Sequence, residues 1–208
     1  MLYATYLKRP CDVLASAALI ILLAPLMALV YLAVRLSLGP PAFHHDDRAG
    51  LNGQPIRITK FRSMTRDTGP DGLLLADAER LGPFGRFLRR TSLDELPQLF
   101  SVFIGDMSMV GPRPLPLRYV SRYSPRQATR LQVRPGLTGW AQIKGRNSLD
   151  WPARLEFDAQ YVEMLQRPLA PFTDLWIVGV TAIQMVHQAL TGRGIAAAGS
   201  ATMHEFSP

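Results

Sequence analysis

VLASAALIILLAPLMALVYLAV, residues Val13 to Val34, carries no charged side chain, and its reading decides the architecture. At about 1.5 Å of rise per residue, such a stretch is long enough to cross the ~30 Å hydrocarbon core of a bilayer. It is too long for the apolar part of a signal peptide, and no small-residue cleavage site follows it. Pro25 stands near its centre. That residue has no N–H for the Ile21 carbonyl and its ring crowds the same carbonyl, so a break is expected at Ala24-Pro25. Lys8 and Arg9 flank the segment on one side and Arg35 on the other. If the chain that follows is cytoplasmic, a proline-kinked single crossing, which stays open as a reading, would leave Lys8 and Arg9 outside, against the positive-inside tendency. A re-entrant helix hairpin, turning near Pro25 with both ends on the cytoplasmic face, satisfies both flanks. Backbone groups freed at the turn need partners, because hydrocarbon offers none; Ser16 is a nearby hydroxyl.

The chain has 208 residues, of which 48% are hydrophobic, so it is not disordered as a whole. Its formal net charge of +7 favours an anionic partner: nucleic acid, anionic lipid or a phosphorylated substrate. Nucleic acid would call for aromatics interleaved with the arginines or a recognisable reading helix, and neither is evident. Cys11 is the lone cysteine, which rules out an intrachain disulfide. His44, His45, His187 and His204 lack the spacing of a zinc site.

Beyond Gly39-Pro40-Pro41, a linker signal, the chain reads as one soluble-type domain. Gln54 to Arg62 alternates around Ile56 and Ile58 and predicts a short strand. Gly69-Pro70-Asp71-Gly72 predicts a turn. Helices are expected over Leu93–Ile104, from Ser124-Pro125, over Leu149–Leu165 and over Thr173–Leu190. The last is apolar enough to be a core helix or to lie on a membrane surface. The expected fold is therefore α+β, mainly helical with a small β element. Residues 1–38 form the membrane-embedded re-entrant segment, and residues 39–208 form a cytoplasmic domain with interfacial helices.

Thr91-Ser92-Leu93-Asp94-Glu95-Leu96-Pro97 is the sharpest chemical feature. Locally it reads as a helix start: Ser92 and Glu95 match a capping box, and acidic residues belong in a first turn. Pro97 leaves Asp94 as another candidate cap. The same carboxylates stand close to Arg89 and Arg90, and an ionised aspartate held near arginines can act as a nucleophile toward phosphorus. A basic field follows: Arg113, Arg118, Arg122, Arg126, Arg130, Arg134, Lys144 and Arg146, with no acidic residue among them. As a set these could hold a diphosphate or anionic headgroups, or they could form a solvated face. Lys60 and Arg62 add to the field from the predicted strand. The glycine- and proline-punctuated stretches Gly105–Pro114 and Arg134–Gln142 are neither a Walker loop nor a dinucleotide fingerprint.

Taken together, these stretches resemble the bacterial sugar transferase family, the small monotopic phosphoglycosyl transferases. The resemblance rests on ordered blocks: Lys8-Arg9-Pro10-Cys11-Asp12, Lys60-Phe61-Arg62-Ser63-Met64, Arg89 through Leu99, Gly105-Asp106-Met107-Ser108, and Val110-Gly111-Pro112-Arg113-Pro114. It continues through Arg134 to Gln142, Gly145-Arg146-Asn147 and Gly194 to Met203. It implies that Asp94 is the nucleophile of an Asp-Glu pair with Glu95 assisting. The reaction would move a phosphosugar from a UDP-sugar to polyprenyl phosphate, at the inner leaflet of the bacterial cytoplasmic membrane. It further implies Mg²⁺ with Asp94 as protein ligand, Lys60, Arg62, Arg90, Arg113, Gln142 and Arg146 as substrate-binding candidates, and inner-membrane lipids as partners. It leaves room for a homodimer. The sequence departs from the family pattern at Ala24, where many relatives have Ser, and across Phe43–Gly50. The competing reading is a non-catalytic basic membrane adaptor in which Asp94 and Glu95 only cap a helix.

Overall fold

The structure is a computed structural model that describes residues 2–145, 149–191 and 206. It is mainly helical with two small sheets. Residues Tyr3–Leu38 form one helical run, π-type over Tyr3–Leu7 and then α1 over Lys8–Leu38. The helical run is continuous through Ala24-Pro25, with Pro25 inside α1, so a hairpin of two separate arms is not confirmed. Proline deletes a single i→i−4 bond, and the intact turns on either side carry the helix past it. Most of the apolar surface of α1 is uncovered, with Leu14, Ile21, Leu22, Leu29 and Leu32 all exposed.

Both ends of α1 are nonetheless fastened to the rest of the chain. At its N-terminal end, Lys8 Nζ lies 2.6 Å from Asp174 Oδ2 and Tyr3 Oη donates to the same oxygen at 2.7 Å. Arg9 donates to the carbonyls of Val102 and Phe103 at 2.6 and 2.7 Å, and Asp12 accepts from Ser108 Oγ and the Met109 N–H. At the C-terminal end, Met27, Val30 and Val34 are buried with Ala42, Phe61 and Leu88. Arg62 donates to the carbonyls of Leu38, Gly39 and Pro40. Arginine suits this task because its planar fork satisfies several of the carbonyls that a helix end leaves orphaned.

After the linker, β1 (Phe43–Ala49) pairs antiparallel with β2 (Pro55–Phe61), with His44 opposite Lys60. The strand expected over Gln54–Arg62 is thus present; β1 had no reading of its own because FHHDDRA shows no apolar alternation. Gly72 N–H bonds Gly69 O across the expected turn. Short helix α2 (Asp77–Arg80) and helix α3 (Pro83–Thr91) follow. Gly85 is required in α3, since a Cβ there would sit 1.8 Å from the Ser63 carbonyl oxygen.

The helix expected over Leu93–Ile104 divides into a 3₁₀ turn, Leu93–Glu95, and α4 (Gln98–Ile104), whose N-cap is Pro97. The strands β3 (Ser108–Val110) and β4 (Gly136–Thr138) form a parallel pair built from the glycine- and proline-rich stretches. A Cβ on Gly136 would lie 2.0 Å from Gly111 N, so the two backbones meet where only glycine fits. Helices α5 (Pro125–Ala128), α6 (Trp140–Lys144), α7 (Trp151–Leu165) and α8 (Ala170–Thr191) complete the chain. Ser124 and Gln127 close a capping box on α5 and Asp150 caps α7. On α8, Phe172, Leu175, Trp176, Ile183 and Val186 are exposed while Asp174 and Ile177 are buried. That distribution matches a helix with one face toward the body and one apolar face left uncovered.

Candidate active site

The geometry of the 3₁₀ turn begins at Ser92, which ends α3 in the left-handed region at φ 56°. A non-glycine residue there is uncommon and strained, and is kept only where its surroundings fix it. Leu93 and Leu96 provide that fixing by packing on the cluster of Val34, Phe61 and Leu88. The capping box expected from Ser92 and Glu95 does not form. Ser92 makes no side-chain cap bond, and Glu95 is engaged elsewhere. With the two leucines facing the core, Asp94 and Glu95 are presented together on the other side of the turn.

Glu95 Oε1 accepts from Lys60 Nζ at 2.5 Å and from Arg113 Nη2 at 3.0 Å. Lys60 occupies the same strand face as Ile56 and Ile58, so its ammonium points inward and needs a carboxylate. Burial opposes ionisation of Glu95, but Arg113 and Lys60 outweigh it and hold this carboxyl below its ordinary range. Asp94 is 7% exposed and makes no hydrogen bond among the described residues. Burial and then the Glu95 charge raise its pKa to about 6, against the pull of Lys60, Arg89 and Arg113. The pair is therefore divided into one carboxylate bound by cations and one that, among the described residues, has no hydrogen-bond partner in the same positive field.

The other expected ligands fall in different places. Arg62 is spent on the end of α1, as described above. The Arg90 guanidinium lies over the Phe87 ring at 6.0 Å, and its buried Nε has no partner. Gln142 donates to the Leu137 carbonyl at 3.0 Å, and no hydrogen bond ties it to the carboxylates. Arg146 lies outside the described residues, as do Asn147 and the block from Gly194 to Met203. The basic field does not converge either. Arg126 pairs with Glu156 and Glu163, Arg130 with Asp158, and Arg134 with the Gly105 carbonyl. Arg113 alone of that field contacts the pair among the described residues.

Three residues that hold the site or its frame were not singled out in sequence. Asp158 neutralises the buried Arg130, which donates to the Arg113 carbonyl. Asp174 gathers Lys8, Tyr3 and Tyr161, and Asp12 ties α1 to β3. The available signal for Asp174 was its position as the sole charged residue in APFTDLWIVGVTAIQMVHQALT.

Mg²⁺ fits this donor set. No group of three His, Cys, Asp or Glu stands together among the described residues. A cage made by those residues alone is thereby ruled out, but Mg²⁺ characteristically uses one or two carboxylates, retained waters and substrate phosphates. Asp94 would hold such an ion; Lys60 and Arg113 both bond Glu95 Oε1, which leaves Glu95 Oε2 as the other carboxylate oxygen within the pair.

An uncovered apolar helix and a buried, cation-flanked Asp-Glu pair are the features that the comparisons place in a family. The model of the bacterial sugar transferase family matches residues 3–188, and the chain belongs to that family. It is an enzyme of the phosphoglycosyl transferase class. The uncharacterized sugar transferase EpsL of Bacillus subtilis is 40% identical over 201 residues, covering 97% of this chain and 96% of that protein. The UDP-glucose:undecaprenyl-phosphate glucose-1-phosphate transferase of Caulobacter vibrioides is 47% identical over 146 residues. The enzyme of that name from Escherichia coli is 38% identical over 190 residues. Those two alignments cover 66% and 86% of this chain but only 54% and 40% of the relatives' own lengths.

Proposed function

We propose that this chain moves a sugar phosphate from a UDP-sugar to polyprenyl phosphate, releasing UMP, by two displacements at phosphorus through Asp94. The observation that carries this reading is the division of labour within the carboxylate pair. Glu95 anchors Lys60 and Arg113, and Asp94 stands beside those cations, desolvated and without hydrogen-bond partners among the described residues. In the first displacement an Asp94 Oδ attacks the sugar-proximal phosphorus. The bond to the bridging oxygen breaks, and UMP leaves with its electron pair. In the second, a phosphate oxygen of the acceptor attacks the same phosphorus and expels the Asp94 carboxylate, which completes a polyprenyl diphosphate sugar. Lys60 and Arg113 offset the charge on the phosphoryl oxygens, the main task in phosphoryl transfer. A pKa of about 6 leaves Asp94 mostly ionised at neutral pH. Mg²⁺ bound at Asp94 would supply charge neutralisation for the departing diphosphate oxygen. Such a reaction is the first membrane step in assembling a lipid-linked glycan. The relatives named for undecaprenyl phosphate support the acceptor class.

The placement of α1 supports a re-entrant topology. A helix that crosses a bilayer delivers its ends to opposite faces. Here Lys8 and Arg9 at one end, and Leu38 and Gly39 at the other, are bound to the same domain. With both ends on the cytoplasmic side, the exposed middle around Pro25 dips into the inner leaflet, and the catalytic turn rests on Val30 and Val34 of that same helix.

The test is intact-mass analysis of the protein incubated with candidate UDP-sugars and Mg²⁺, without lipid acceptor, alongside a UMP-release assay with undecaprenyl phosphate. A phosphosugar adduct on the native protein and none on Asp94→Asn is expected, with turnover lost in that variant. Near-normal turnover in Asp94→Asn would overturn the nucleophile. Absence of UMP release with every UDP-sugar would favour the adaptor reading.

A further inference from the structure

One buried aromatic cluster takes no part in the reaction above. The ring of Phe206, near the C-terminus, lies among Tyr119, Tyr123 and Trp151 with centroid distances of 5.5, 5.9 and 5.3 Å, and the residue is 3% exposed. Its backbone is held as well. Phe206 N–H donates to Tyr119 Oη at 3.2 Å, and Arg122 Nη1 donates to the Phe206 carbonyl at 2.6 Å. Tyr123, one wall of this cage, leads toward the carboxylates. Its hydroxyl accepts from Arg130 Nη1 at 3.1 Å, and the same guanidinium pairs with Asp158 and donates to the Arg113 carbonyl. Arg113 in turn holds Glu95.

We infer that Phe206 is a positioning residue for the carboxylate pair, acting through Tyr123, Arg130 and Arg113. The inference rests on the reading of Asp94 and Glu95 given above. Arg130 has three acceptors, and their directions fix its planar fork. Removing the Phe206 ring empties the space that sets the pose of Tyr123, and a packed interior relaxes only partly into such a space. With the Tyr123 hydroxyl displaced, the Arg130 fork turns about Asp158, and the Arg113 backbone it supports follows. Phosphoryl transfer depends on placement, so a shift well under the size of a side chain is costly.

The experiment uses the full chain in lipid nanodiscs, comparing the native protein with Phe206→Ala, Phe206→Leu and Phe206→Tyr. Phe206→Ala should lose about tenfold or more in kcat/KM, mostly in kcat, as displacement of a positioned group predicts. KM should change little, so the loss separates from weakened substrate binding. Phe206→Tyr, which keeps the ring, should restore kcat. Should Phe206→Ala fail to fold, Phe206→Leu, with less volume removed, gives the same readouts. A variant that melts at lower temperature with kcat unchanged would overturn the inference, as would unchanged kinetics throughout. If the native protein shows no turnover, the functional reading fails by itself, and the coupling is then read from the Nε–Hε NMR resonance of Arg130, the link between Tyr123 and Arg113. A resonance shifted in Phe206→Ala and returned in Phe206→Tyr upholds the inference; an unmoved one sinks it.

Discussion

Asp94 and Glu95 are neighbours in the chain and titrate in opposite directions, the first upward and the second downward from the ordinary carboxyl range. The cause is the sharing of cations: Glu95 takes the contacts of Lys60 and Arg113, and its fixed negative charge then opposes ionisation of Asp94. Glu95→Gln removes that opposing charge and leaves Lys60 and Arg113 free to act on Asp94. The Asp94 pKa should fall, and the acid limb of the kcat/KM–pH profile, expected near pH 6 for the native protein, should move to lower pH even as the maximal rate drops. A limb that stays in place would show that a group other than Asp94 sets it.

Asp94 also has a consequence for stability. A carboxyl whose folded pKa is raised binds its proton more tightly in the native state, so the fold loses stability as pH rises from about 4 through about 6. Asp94→Asn cannot ionise and escapes that loss. It should be more stable than the native protein above pH 6, by on the order of 1 kcal/mol, a Tm gain of about 2–4 °C. The gain should vanish below pH 4. Thermal shift measured across this range checks it, and equal melting at all pH values would refute it.

Chelation gives a third test. EDTA should abolish turnover, and Mg²⁺ should restore it. Zinc should not be needed, because no cluster of His or Cys stands ready for it among the described residues. Full rates in thoroughly chelated buffer would remove the metal from the mechanism.

The topology of α1 can be read with a single thiol. Cys11 is exposed and is replaced by Ser, and Leu2, also exposed, is replaced by Cys. A membrane-impermeant maleimide should leave that thiol unlabelled in intact spheroplasts and label it once the membrane is opened. Rapid labelling in intact spheroplasts, with a cytoplasmic control thiol protected, would instead establish a crossing.

The long apolar helix, strand β2 and the terminal helices α7 and α8 were legible because each carries a sustained pattern: an uncharged run, an alternation, or a capped periodic segment. Strands β3 and β4 were not, because three residues hold no period and their pairing depends on the close approach of Gly111 and Gly136. The Asp-Glu pair was visible as chemistry but was read locally as a helix cap. Ser92 in the left-handed region and the leucines on either side of the pair turn it away from that role, and these are tertiary facts. Arg62 illustrates the converse: a basic residue on the right strand, beside Lys60, that long-range packing commits to the end of α1. Lys60 reached the site because alternation put it on the inward face.

The clasp between Lys8 and Asp174 joins residues 166 positions apart. It therefore comes into being late in biosynthesis. When α1 leaves the ribosome, none of the groups that hold its first turn has been made; Val102, Phe103 and Ser108 come next, and Asp174 only when α8 is translated. For most of its synthesis the nascent chain carries an uncovered apolar segment whose first turn has no partner from the domain. Its final pose is imposed afterwards, when α8 is added. A chain stopped before α8 would keep the apolar run and lose the contact that fixes where it begins.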